Sequence, residues 1–189
     1  KINKIEIFIV AGYTTTNARI KNTDIFDAVS LNQPALSFWA PQNVFDTRVR
    51  LGKSHFNSLI RGLPYRVRQA LYLLRDAIPN RITIFDYDKV WSKVIAQYKD
   101  ALTRDAHKTI PMGFVDFDNT PRYGNRAILI NGFTVRKFQK YMKELLLMAD
   151  GESDIVLLNA WNEWAEGMYL EPDVENKDLT LKALRRAID

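Results

Sequence analysis

The stretch Asp154-Ile155-Val156-Leu157-Leu158-Asn159-Ala160-Trp161-Asn162-Glu163-Trp164-Ala165-Glu166-Gly167 decides how this chain reads. Its first part is apolar on consecutive positions, Ile155 to Leu158. A strand with one wet face alternates between apolar and polar. A strand covered on both faces, as in a parallel sheet flanked by helices, does not. The second part turns abruptly polar and aromatic, where that strand would end. Folds built from parallel strands place their ligands at such carboxyl ends.

Working outward, three more runs have strand length: Ile5 to Ala11, Ala28 to Leu31 and Thr109 to Val115. With Asp154 to Ala160 they make four strands. Between them lie segments of helical spacing. Val90, Trp91, Val94, Ile95 and Tyr98 share one face, and Asp86 or Asp88 can cap that helix. Thr134 can cap a helix over residues 134–148, with Val135, Phe138, Met142, Leu145 and Leu146 as its apolar stripe. Residues 64–78 read as a helix with Pro64 in its first turn, and residues 179–188 as another. Residues 32–61 read as an extended loop over the sheet's end. Alternating strands and helices predict an α/β domain of parallel βα units over residues 1–189.

Composition narrows the function. The 189 residues contain no cysteine, so disulfides and thiolate metal sites are excluded. The net charge of +5 is dispersed along the chain and gives no footprint for nucleic acid. No run approaches the ~20 apolar residues that span a bilayer, and no convincing signal peptide opens the chain. His55 and His107 lack a metal-ligand partner at useful spacing. Asp116 and Asp118 flank one residue and could hold a divalent cation, but such pairs are common. The expectation is no metal and no cofactor.

Chemistry concentrates after the last strand. Glu163 and Glu166 have a spacing that puts both carboxylates on one side of a turn. Glycosidic bond chemistry uses such a pair, one protonated and one ionised. Trp161 and Trp164 can offer flat apolar faces to sugar C–H groups, and Gly167 permits a tight turn. The plainer alternative is a solvated pair of glutamates beside core tryptophans. One strand earlier, Asp118-Asn119-Thr120-Pro121-Arg122 has turn composition. Either Asp118 caps backbone amides and Arg122 pairs with a carboxylate, or Asp118, Asn119 and Arg122 share a rim with the glutamates. In the second case Arg122 orients or balances one of them.

The run from Asn159 to Gly167, followed by Leu170-Glu171-Pro172-Asp173, resembles the hallmark of the WbsX-like glycosyltransferase family, also described as glycoside hydrolase family 99-like. Asp118 to Arg122 is similar to that family's second hallmark. The resemblance implies a (β/α)8 barrel acting on sugars in surface-polysaccharide or lipopolysaccharide biosynthesis. The related hydrolases are retaining mannosidases or mannanases. Carried onto this chain, Glu163 would act as base on the sugar 2-hydroxyl, giving a 1,2-anhydro sugar. Glu166 would be the general acid and then the base. Substrate contacts would come from Asp118, Asn119, Arg122, Asn162, Trp161 and Trp164.

The proline- and Trp-rich motif that opens such domains is missing here. A closed barrel of this type needs eight strands and about 250 residues. The expected fold is therefore α/β, the C-terminal half of a (β/α)8 TIM-type barrel with four parallel strands. Its partners would be the N-terminal half or a second copy, an oligosaccharide or polysaccharide substrate, and a nucleotide-sugar donor. The expected location is cytoplasmic, and the 189-residue piece alone is expected to be inactive. The alternative is a non-catalytic carbohydrate-binding or structural half-barrel.

Overall fold

The computed structural model describes residues 9–13, 26–39, 63–64, 66–67, 70–71, 82–105 and 109–189. The strands are β1 (Val10–Tyr13), β2 (Ala28–Leu31), β3 (Thr83–Asp86), β4 (Thr109–Ile110), β5 (Met112–Phe114), β6 (Ile128–Asn131), β7 (Leu157–Asn159), β8 (Asn162–Glu163) and β9 (Met168–Tyr169). The helices are α1 (Ala35–Trp39), α2 (Tyr87–Asp105), α3 (Thr120–Tyr123), α4 (Val135–Ala149) and α5 (Leu179–Ile188).

The fold is mixed α/β with parallel strands, as expected. β1 pairs with β2, and β2 with β4, both parallel. β5 pairs in parallel with β7, register Met112 to Leu157 and Phe114 to Asn159. The expected single strand from Thr109 to Val115 is divided at Pro111. Proline has no N–H to give to a ladder, and the chain changes neighbour there. Its first half bonds to β2, and the Pro111 carbonyl accepts from Leu157 N at 2.9 Å on the side of β7. The chain thus runs through Pro111 from one sheet into the next, giving the order β1, β2, β4/β5, β7.

Four strands were not anticipated. β3 and β6 form a separate parallel pair, Thr83 opposite Ile128 and Asp86 opposite Asn131. A short antiparallel hairpin, β8 and β9, follows β7. Among the described residues the strands do not close into a barrel. The extended loop expected from residue 32 is interrupted at once by α1, and residues 40–62 lie outside the described residues. So do residues 5–8 of the first expected strand and much of the helix expected over 64–78, of which residues 66–67 and 70–71 are helical.

The helices follow their sequence signals. Asp86 Oδ1 accepts from Lys89 N at 3.0 Å and so caps α2. Thr134 caps α4 by accepting from Lys137 N at 3.2 Å. The core lies where α2 and α4 cover β5. Trp91 of α2 is fully buried, stacked between Phe114 (4.9 Å) and Tyr141 (5.5 Å). Gly113 makes that packing feasible: a Cβ there would come within 2.5 Å of Met142 Sδ and 3.1 Å of Trp91. Ala183 and Ala187 bury the small face of α5, which packs against α4.

Candidate active site at the carboxyl ends of the strands

The carboxyl ends of β2, β5 and β7 meet at one rim. Asn159, the last residue of β7, donates through Nδ2 to Asn32 Oδ1 (3.2 Å) and to the Gln33 carbonyl (2.7 Å), both just past β2. Gln33 is buried in turn. Its Nε2 donates to Gln97 Oε1 at 2.7 Å, and its Oε1 accepts from Ser37 Oγ at 2.8 Å. Val115 N, just past β5, donates to the Asn159 carbonyl at 3.0 Å.

The β8–β9 hairpin carries the glutamates. Glu163 ends β8, and a 3₁₀ turn over Trp164–Glu166 leads to Gly167. Gly167 has φ +59°, the left-handed region that side chains disfavour. A Cβ there would also meet the Asp118 backbone at 3.1–3.2 Å. That close approach lets Asp118 N donate to the Glu166 carbonyl at 2.7 Å, which fastens the loop after β5 to the loop after β7. Arg122 Nη1 lies 3.3 Å from Glu166 Oε1. Among the described residues the Glu163 carboxylate has no hydrogen bond or ion pair, and it is exposed.

The tryptophans are exposed, not core: Trp161 is 53% and Trp164 47% accessible. Trp164 is nevertheless fixed. Its Nε1 donates to Glu171 Oε2 at 2.8 Å, and one face stacks on Tyr169 at 3.9 Å. Asn162 is exposed on β8.

The loop after β5 spends its side chains differently. Asp118 Oδ1 accepts from Thr120 N at 2.8 Å, which is the capping arrangement weighed for it from sequence. Asn119 is buried, and its Oδ1 accepts from Ile128 N at 2.7 Å. Both side chains hold backbone. The structure therefore brings Glu166 and Arg122 together, leaves Glu163, Asn162, Trp161 and Trp164 facing outward, and turns Asp118 and Asn119 into their own loop. His55 and His107 lie outside the described residues. Among the described residues, no group of three or more histidines and carboxylates could hold a metal.

Sequence reading weighed Asp116 only as half of a common cation-type pair with Asp118, and the structure gives it a different setting. It lines a cleft of about 490 Å³. Burial, reinforced by the neighbouring Asp118 charge, pushes its carboxyl up from the ordinary 3.8 to about 6, against the lowering effect of its bond from Phe117 N. The available signal was its setting: a lone carboxylate between Val115 and Phe117 at a strand end.

The model of one family, glycosyltransferase WbsX, matches residues 3–184. The chain belongs to the WbsX glycosyltransferase family. Membership covers nearly the whole length and agrees with the resemblance carried by residues 159–173. Two curated relatives, both uncharacterized proteins named WxcX from strains of Xanthomonas campestris pv. campestris, are 35% identical over 81 residues. Those matches span 39% of this chain and only 12% of each relative. No solved structure matches. In this WbsX-family chain no described helix is long and apolar enough to cross a membrane.

Proposed function

We propose that this domain forms or cleaves glycosidic bonds in surface-polysaccharide or lipopolysaccharide assembly, with Glu163 and Glu166 as its acid/base pair. One observation carries the reading: the hairpin after β7 presents the unpaired Glu163, the Arg122-paired Glu166 and two exposed tryptophans at one strand end. In the chemistry implied by the family, Glu163 removes the proton from the sugar 2-hydroxyl. O2 then attacks the anomeric carbon as the glycosidic C–O bond breaks, and Glu166 protonates the departing oxygen. Water, or an acceptor hydroxyl, next opens the 1,2-anhydro ring at that carbon. Glu166 takes its proton, and Glu163 returns the first proton to O2. Water gives hydrolysis; an acceptor sugar gives transfer. This is one of the substrate-assisted departures from the two-carboxylate scheme.

The parallel order β1, β2, β4/β5, β7 supports half of a (β/α)8 barrel. On this reading residues 1–189 form one domain, completed by another half or a second copy, and it works in the cytoplasm on a saccharide and a nucleotide-sugar donor. The test uses the natural full-length chain against mannose- and rhamnose-containing oligosaccharides, with and without nucleotide sugars. Glu163→Gln and Glu166→Gln should each lower kcat/KM by about 10²–10⁴-fold. Unchanged turnover in both variants overturns the pair. Glycan binding without turnover in the native protein would mark a binding domain instead.

A further inference from the structure

The cleft beside Asp116 lies between the carboxyl ends of β5 and β6, under the loop that joins β9 to α5. Asp116, Asn131, Gly132, Tyr169, Asp173 and Glu175 are among the residues that line it. Crevices at the carboxyl ends of neighbouring strands are where α/β folds take ligands, and about 490 Å³ falls in the usual range for small-molecule clefts. The glutamates of the hairpin do not line it, but Gly167 and Tyr169 do. Tyr169 is the ring on which Trp164 stacks, so the cleft adjoins the rim through a shared wall.

The charged side chains of the lining are all acidic. No lysine, arginine or histidine lines the cleft among the described residues. The nearby Lys137 already has partners, its Nζ lying 2.7 Å from Asp88 Oδ2 and 3.0 Å from the carbonyl of the lining residue Gly132. A phosphate placed here would meet carboxylates without a compensating cation, so the diphosphate of a nucleotide sugar does not suit it. Hydroxyl groups do suit it, because they can donate to carboxylates.

The carboxylates differ in availability. Asp173 is occupied by the backbone and side-chain nitrogens of Asn176. Glu175 is exposed. Asp116 receives one hydrogen bond among the described residues, from Phe117 N to Oδ1 at 2.8 Å, which leaves its second oxygen for a ligand. We propose that this cleft is a saccharide subsite that takes one neutral sugar unit, with Asp116 accepting hydrogen bonds from its hydroxyls. This rests on the carbohydrate reading above and adds where an uncharged unit of the substrate lies.

Saturation-transfer NMR on the full natural chain tests it, with methyl α-mannopyranoside and methyl α-rhamnopyranoside as probes and mannose 1-phosphate as the charged counterpart. The neutral glycosides should bind, and the phosphate at least about tenfold more weakly. Asp116→Asn should weaken glycoside binding about tenfold, the usual scale for losing a charged acceptor. Asn keeps an oxygen for Phe117 N, and a thermal melt confirms that the variant folds. Asn131→Leu, which narrows the cleft from β6, should weaken binding too. Equal binding of the phosphate, or unchanged glycoside binding in both variants, overturns the subsite. Turnover of Glu163→Gln, measured in parallel, separates the two claims: its loss alongside unchanged binding in both cleft variants removes the subsite and leaves the acid/base pair standing.

Discussion

The loop after β5 and the loop after β7 share a rim and a backbone hydrogen bond, yet they use their polar side chains in opposite ways. In the first, Asp118 and Asn119 hold backbone N–H groups of their own loop. In the second, the glutamates and tryptophans leave the backbone alone. Its chain is held instead by Gly167 and by main-chain bonds from Leu170 and Glu171 to the Trp161 carbonyl. Polar residues at a strand end are thus of two kinds, those that build the loop and those that the loop displays. Hydrogen-bond accounting separates them.

The comparison can be broken at the point where the loops join. Gly167→Ala forces a side chain into the left-handed region and against the Asp118 backbone. It should cost about 2–4 kcal/mol, read as a lower unfolding midpoint in urea. A variant as stable as the native protein would show that the loops are not fastened there.

Asp116 sharpens the contrast through pH. Its carboxyl lies near 6 when folded against 3.8 ordinarily. Above about pH 6 it is ionised in both states, and the fold bears the whole cost of desolvating it beside Asp118. Below about pH 4 it is neutral in both, and the cost is gone. Asp116→Asn should therefore be more stable than the native protein at pH 7.5, by up to about 3 kcal/mol. That advantage should disappear as the pH falls through 6 toward 4. Melting curves at three pH values check it, and a constant gap would refute the assignment.

Asn119→Ala leaves the buried N–H of Ile128 without its side-chain acceptor. The expected cost is about 1–2 kcal/mol, with kcat/KM unchanged per folded molecule. A selective loss of activity would move Asn119 from the building group to the displayed one. The smallest effect on stability belongs to Arg122→Gln. Its ion pair with Glu166 is partly exposed and worth under about 1 kcal/mol. Its consequence should be seen in the pH profile of turnover, through Glu166, and an unchanged profile would make the pair incidental.

Much of this fold was legible in the sequence. Ala28–Leu31 and Leu179–Ile188 match their predicted limits, and Thr134 caps its helix as its position suggests. The misses have physical causes. β3 is four residues long, has Ile84 62% exposed, and ends on the same Asp86 that caps α2. Helix-start chemistry there outweighs so short a strand. Pro111 lies inside an unbroken apolar run, and hydrophobicity does not record which side of a strand receives the ladder. At the site, the crowding of Glu and Trp after β7 was legible because it breaks abruptly from the apolar run of the strand before it. That Asp118 caps while Asp116 lines a cleft was not, because both are aspartates beside a strand end and only the third dimension separates them.

The amide cluster beneath the rim has a consequence for motion. Gln33, Ser37, Gln97 and Asn159 tie the ends of two strands to the middle of α2 through side chains, three of them in one chain of bonds. Such groups cannot open one at a time without leaving a partner stranded in a dry interior. The strand ends and that turn of α2 should therefore exchange their amide hydrogens as one cooperative unit. The displayed hairpin thus stands above a base that either holds together or opens whole.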